Sequence, residues 1–276
     1  MDAHNLEIRI ARRVAVVRLA RESVRNAFNE TMIAELSAAF AALGADEGVR
    51  AIVLAARGPA FCAGADLQWM AKMADFTPEE NRRDAAALAA MLQTIFACPK
   101  PTIARVHGDA VAGGVGLVAA CDIAFAAIGA SFCLSEVRLG LIPATIGPYV
   151  VRAIGERHAL RYMQTAERFD AAEALRIGLV HGVAPADQLD AHVDQVLGSV
   201  MRASASAVAA SKRLVRDLAG RPITQALIDD TAERISAART SADGREGVRS
   251  FLDKRKPRWQ AEYDAEQAAL GDDEEM

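Results

Sequence analysis

One carboxylate stands out because of its neighbours. Glu136 lies in Phe132-Cys133-Leu134-Ser135-Glu136-Val137-Arg138-Leu139-Gly140-Leu141-Ile142-Pro143, an otherwise apolar, strand-like run. Burying a carboxylate costs free energy unless it is paired or put to use, so Glu136 is a candidate general acid and base with a raised pKa. The competing reading is an ion pair with Arg138, two residues on and therefore on the same face of a strand.

Two stretches of small residues have the makings of backbone donor sites. Ala60-Phe61-Cys62-Ala63-Gly64-Ala65-Asp66-Leu67 follows a predicted strand and makes a turn before an apolar helix start. Small side chains let a ligand approach the main chain, and the first amides of a helix point outward toward an anion or a polarised oxygen. Gly108-Asp109-Ala110-Val111-Ala112-Gly113-Gly114-Val115-Gly116-Leu117 repeats the arrangement. It is neither a dinucleotide fingerprint nor a phosphate loop, since no acidic partner follows at the right spacing and no Gly-Lys-Ser/Thr is present. Taken alone, each stretch also fits a tight turn or close helix packing with no ligand.

The elements that must position these residues alternate. Residues 6–10 and 14–19 predict a β-hairpin. Met32, Ile33, Leu36, Phe40 and Leu43 fall at helical spacing, with Asn29 as N-cap and Gly44 as the stop. A strand over 51–55 comes next. Thr77-Pro78-Glu79-Glu80 combines an N-cap hydroxyl, a first-turn proline and a capping-box glutamate, and its helix runs to about Phe96, before Pro99 and Pro101. Residues 102–107 predict a strand leading into the second donor stretch, and 123–127 with a short strand near Phe132 repeat the pattern. Asp170-Ala171-Ala172-Glu173 is a second capping box, and residues 186–267 are largely helical in pattern. The expected organisation is an α/β core over residues 1–169 and a helical C-terminal region over 170–276.

A chain of 276 residues can bury a substantial core, and its 52% apolar and 25% charged residues are ordinary for a folded protein. The net charge of -4 offers no long-range attraction for nucleic acid or an anionic membrane. The four cysteines, Cys62, Cys98, Cys121 and Cys133, show no CxxC pair and no metal-ligand spacing with the five histidines, and are expected as buried thiols in a reducing compartment. His107, His158 and His181 are expected to be structural. Residues 1–13 lack the pattern of a secretory signal, and no stretch reaches the roughly 18 apolar residues of a membrane span. A cytoplasmic protein is expected, with a solvated acidic end over 272–275.

In order along the chain, residues 61–70, residues 108–123, the Glu136 run and Glu246-Gly247-Val248-Arg249-Ser250-Phe251-Leu252-Asp253-Lys254-Arg255-Lys256-Pro257 resemble the landmarks of the crotonase (enoyl-CoA hydratase/isomerase) family. The resemblance spans nearly the whole chain, and landmarks in order are far more specific than any single one. It implies a spiral of ββα units with a helical C-terminal region that trimerises, usually into a dimer of trimers. It also implies that the amides of Ala65 and Gly113 donate to the thioester oxygen of an acyl-CoA, with Glu136 as the catalytic carboxylate. Ala63, Asp66, Leu67 and Gln68 match the stretch along the CoA groove. Trp69 and Met70 match the acyl pocket, with core packing as the alternative. Arg25 and Ala27, in Val24-Arg25-Asn26-Ala27-Phe28, match the segment near the adenine and its phosphates; Phe251 and Lys254 match C-terminal CoA contacts. An ordinary solvated charge is the alternative for Arg25 and Lys254. No metal is implied, and no cofactor beyond the coenzyme A that the substrate carries.

The pattern is broken in two places. Many hydratases of the family have a second glutamate three residues after the second donor, where this chain has Gly116. After Pro143, Ala144-Thr145-Ile146-Gly147 replaces a glycine-rich run. Two enzyme readings follow. Residues 61–70, 113–117 and 134–141 look like bacterial methylglutaconyl-CoA hydratases of leucine catabolism and their isoprenoid-acid relatives, in which Glu136 would deprotonate water and protonate the α-carbon, and Arg138 could hold a distal carboxylate. The alternative is a Δ3,Δ2-enoyl-CoA isomerase that also works with one carboxylate. Some relatives bind AU-rich RNA through a lysine-rich helix, but residues 30–43 contain no lysine or arginine.

Overall fold

In the computed structural model, which describes residues 4–274 and side chains through residue 268, the strands form two sheets, and over residues 51–133 they enter them in alternation. The side chains of the acidic end, 272–275, lie outside the described residues. The hairpin of β1 (Leu6–Ala11) and β2 (Val14–Leu19) pairs antiparallel, with Leu6 opposite Leu19. Helix α1 (Glu30–Ala45) starts at Asn29, whose side chain accepts from the Met32 N–H at 2.9 Å, and it buries Met32, Ile33, Leu36, Phe40 and Leu43. The helical spacing is thus the core-facing stripe. The helix continues through Gly44 and ends at Asp46.

Strand β3 (Ala51–Ala56) is buried along its whole length, as a central parallel strand between covered faces must be. It leads into β4 (Ala60–Cys62) and then α2 (Leu67–Ala74) and α3 (Pro78–Ala97). At α3 both halves of the Thr77–Glu80 capping box form. Next come β5 (Thr102–Val106), β6 (Asp109–Val111) and α4 (Gly113–Ala120), then β7 (Ile123–Ala127), β8 (Ser131–Cys133), a 3-10 turn (Glu136–Leu139) and α5 (Gly147–Thr165). After the hairpin, whose strands both lie in the large sheet, the first strand of each round joins the large sheet and the second joins the small one. With β9 (Phe169–Asp170) and β10 (Gly182–Ala184), the large sheet runs β1-β2-β3-β5-β7-β10 and the small one β4-β6-β8-β9. This is the ββα spiral that the resemblance implied.

The packing divides at Gln195/Val196. In the first unit Phe28, Phe40, Phe61, Phe132, Met91 and Leu92 are fully buried. The change of character read near Phe169 falls earlier, because β9 pairs with β8 and β10 with β7, so this stretch belongs to the sheets. Between them, α6 (Ala171–Arg176) is capped by Asp170, but only half of the expected box forms. Glu173 turns instead to Arg176 and the Tyr162 hydroxyl. Helix α7 (Leu189–Met201) spans the division. The second unit continues with α8 (Ala205–Leu218), α9 (Gln225–Thr240), α10 (Ala242–Leu252) and α11 (Arg258–Glu274). Within it, the Ser204 and Ser206 hydroxyls both donate to Asp243 at 2.7 Å, and Arg255 forks onto Glu246 at 2.7 and 2.8 Å. Among the described residues no helix is long and apolar enough to cross a membrane.

Candidate active site

Strands β4, β6 and β8 lie side by side and parallel, so the chain leaves all three at the same edge of the small sheet. The segments that follow are 63–65, 112–114 and 134–136, the three stretches singled out by residue type. That edge, at the carboxyl ends of parallel strands, is where open α/β sheets bind ligands. The stretches touch. A Cβ on Gly64 would stand 3.2 Å from the Val111 carbonyl oxygen, and one on Gly114 would stand 2.6 Å from that of Cys62. The Ala112 N–H donates to the Cys133 carbonyl at 2.8 Å, which ties the second stretch to the third.

Ala65 is fixed by a parallel bridge to Phe28. The Phe28 N–H donates to Gly64 O at 2.7 Å, and the Asp66 N–H donates to Phe28 O at 2.8 Å. In a parallel pair this pattern turns the N–H of the residue between, Ala65, away from the bridging strand. Among the described residues nothing accepts that N–H. Gly113 is the first residue of α4, and its amide is likewise without an acceptor there, as first-turn amides of helices are. Ala112 before it sits at φ 50°, ψ -117°, a conformation that costs a residue with a side chain and that the Cys133 bond helps to hold. A Cβ on Gly113 would stand 2.6 Å from the Phe28 ring, so Phe28 packs on one amide segment while its backbone bridges to the other.

Glu136 opens a 3-10 turn and not the strand that its apolar neighbours suggested. Gly140, left-handed at φ 71°, closes that turn. Oε2 of Glu136 is buried and bonded to nothing among the described residues. Burial raises its pKa, opposed only by its own backbone N–H. The ion pair with Arg138 does not form: the guanidinium donates to Ala166 O, at the C-terminal end of α5, at 2.6 Å. Two outward amides and one half-buried carboxylate with an unpaired oxygen around a common edge can polarise a carbonyl and move a proton beside it.

The other expected site residues divide. Asp66 is the N-cap of α2, accepting from the Gln68 and Trp69 amides, and it pairs with Arg21 at 3.0 Å. Burial works against its charge, but the Gln68, Arg21 and Trp69 bonds outweigh this and hold its pKa below the usual value. Leu67 and Gln68 are exposed beside it, Ala63 and Met70 half-buried. Trp69 is buried in the core, and its indole N–H donates to Asp84 on α3 at 3.0 Å, which favours the packing alternative. Arg25 is exposed, left-handed at φ 53°, and paired with Asp109 at 3.0 Å; Ala27 is buried. Phe251 and Lys254 belong to the second unit, at the end of α10, where Phe251 is 82% exposed. Cys62 and Cys133 are buried thiols, with burial pushing Cys62 up to about 12. His107 Nε2 bonds Gly58 O, and His181 Nδ1 accepts from the Ala124 N–H.

Sequence reasoning passed over Arg21 and gave Asn26 and Ile146 no role of their own. Asn26 is fully buried and left-handed, and its amide donates to both Arg57 O and Ala60 O at 2.8 Å, pinning the 25–28 loop to the start of β4. Ile146 joins the two departures from the family pattern. A Cβ on Gly116 would lie well inside contact with its Cγ2 and 2.8 Å from its Cβ. The volume a side chain at 116 would need is occupied by the altered loop after Pro143.

A family model described as enoyl-CoA hydratase/isomerase matches residues 9–262. A protein from Thermus thermophilus named a putative enoyl-CoA hydratase is 35% identical over 251 residues, 89% of this chain and 97% of that one. A solved enoyl-CoA hydratase from Shewanella pealeana superimposes with a TM-score of 0.91 at 43% identity, covering 94% of this chain and 97% of its own. A solved putative enoyl-CoA hydratase/isomerase from Legionella pneumophila gives 0.88 at 44% identity, over 92% and 98%.

Proposed function

The chain belongs to the enoyl-CoA hydratase/isomerase family, and we propose that it adds water to an α,β-unsaturated acyl-CoA thioester, with Glu136 as acid and base and the amides of Ala65 and Gly113 as the oxyanion hole. The observation that carries this reading is the half-buried Glu136, whose Oε2 is buried and unpaired, at the strand edge where both outward amides emerge. Ionised Glu136 takes a proton from water as its oxygen bonds to the β-carbon. The electron pair of the double bond moves toward the carbonyl, and negative charge collects on the thioester oxygen. The two amides hold that charge, each worth on the order of 3 kcal/mol in such sites. Protonated Glu136 then returns its proton to the α-carbon, which restores the carboxylate and the carbonyl. Gly113 at the head of α4 adds a favourable helix-terminal field. Coenzyme A enters with the substrate, and no other cofactor takes part in this scheme.

The acyl group in this reading is branched or carboxylated, such as 3-methylglutaconyl, on the likeness of residues 61–70, 113–117 and 134–141 to those hydratases. Arg138 lends no support to a distal carboxylate, being engaged by Ala166 O. Arg25, Ala27, Ala63, Asp66, Leu67, Gln68, Phe251 and Lys254 remain the CoA positions. A trimer or dimer of trimers goes with it, on the resemblance of the chain to the family; in the second unit Val215, Ile223, Val248, Phe251 and Leu252 are exposed.

A second reading, Δ3,Δ2 isomerisation by Glu136 alone, draws on the absence of space at Gly116 for a second carboxylate. A substrate panel separates the two: crotonyl-CoA, 3-methylglutaconyl-CoA and a 3-enoyl-CoA, followed by conjugated-thioester absorbance and product mass. Gain of one water with loss of conjugation is hydration. Gain of conjugation without mass change is isomerisation, and no turnover of any of them overturns both.

A further inference from the structure

Arg21 reaches both sides of the backbone bridge that fixes Ala65. Its Nη1 donates to Ala27 O at 2.5 Å, one residue before Phe28, and its Nη2 donates to Asp66 Oδ2 at 3.0 Å, one residue after Ala65. Asp66 in turn uses Oδ1 to accept from the Gln68 and Trp69 amides, so the same carboxylate anchors the start of α2. The base of Arg21 is pinned as well: its N–H donates to Asn26 Oδ1 at 2.9 Å, and its carbonyl accepts from Asn26 N at 2.9 Å. Both side chains of the pair are largely buried, Arg21 at 17% and Asp66 at 7% exposure. A charge in water-poor surroundings is tolerated only where it is paired and well bonded, and both members of this pair are.

We propose that Arg21 is a positioning residue: by clamping Ala27 O and Asp66 together it holds the Phe28–Ala65 bridge in register and so aims the Ala65 N–H at the substrate carbonyl. The proposal rests on the reading of Ala65 as an oxyanion donor. A planar fork is needed because the two acceptors lie on different segments, 39 positions apart in the chain between Ala27 and Asp66; a lysine ammonium offers no such paired geometry. An amide that donates to an oxyanion must be placed to within a fraction of an ångström, so a clamp on its flanks acts on the rate through geometry without touching substrate.

The test uses Arg21→Met and Arg21→Lys in the full chain, with a cinnamoyl-type enoyl-CoA whose absorption moves to longer wavelength as its thioester carbonyl is polarised. Arg21→Met is expected to lose the red shift on binding and to lower kcat at least about tenfold with KM within about twofold. Arg21→Lys keeps the Asp66 pair and falls between. Arg21→Met and Asp66→Asn combined lose less than the product of their separate losses, because both break one clamp. Should Arg21→Met fail to fold, Arg21→Lys carries the decision. A lower melting temperature with the red shift and kcat of the native protein makes Arg21 purely structural and overturns the proposal. A native protein that binds the probe without any shift overturns the oxyanion reading itself, and the proposal with it.

Discussion

A carboxylate held in apolar surroundings is ready to take a proton from water, and it burdens the fold for the same reason. Burial lifts the Glu136 pKa in the folded protein above its unfolded value. Between those two values the folded state binds more protons than the unfolded one, so stability falls as pH rises through that window. Glu136→Gln is therefore expected to raise the melting temperature at pH 7, with the gain vanishing below about pH 4, where the unfolded carboxyl is protonated too. The same substitution should lower kcat by roughly 10²–10⁴-fold while leaving CoA affinity unchanged. In the native protein the acid limb of kcat/KM should lie above the ordinary carboxylate range and should disappear in the variant. A Glu136→Gln protein with native turnover would remove Glu136 from the chemistry.

At the scale of elements, the contact of α4 with the segment leading into α5 determines what the site can hold. Gly116 lies on α4 and Ile146 caps α5, and the two are packed without space for a side chain between them. Gly116→Glu is expected to destabilise the protein by about 1–3 kcal/mol, as overpacking does, without a gain in hydration rate. Gly116→Glu with Ile146→Ala should regain part of that stability, and thermal melts of the single and double variants check it. The end of α5 is tied back to the Glu136 turn, because Ala166 O accepts from both the Arg138 guanidinium and the Cys133 thiol. Arg138→Met is expected to cost about 1 kcal/mol in a denaturant melt. It should leave the preference between a carboxylated and an uncharged enoyl-CoA unchanged, and a shift of that preference would return Arg138 to the substrate.

For the whole molecule, the proposed assembly and the absence of RNA binding can each be tested directly. Native mass spectrometry is expected to show a trimer or a dimer of trimers, and a monomer at micromolar concentration would overturn that. With a net charge of -4 and no cation on α1, the protein should pass an AU-rich RNA column at low salt without retention.

Alternation of short apolar runs with capped helices was readable along the chain because periodicity and capping are local properties: β7 over 123–127, the Thr77 start of α3 and the Asn29 cap of α1 lie where their residues say. The lone carboxylate and the small-residue turns were readable too, as residue types unusual for their neighbours. The strand pairing decided the rest. Whether residues 63–65, 112–114 and 134–136 meet depends on β4, β6 and β8 lying adjacent and parallel, a choice made between segments tens of residues apart. Whether Glu136 pairs with Arg138 turned on a 3-10 turn and on the distant Ala166 carbonyl. That Arg21 meets Asp66, and Gly116 meets Ile146, carries no mark in the sequence, because a hydrogen bond or a steric exclusion across the fold leaves no periodic trace in either of its partners.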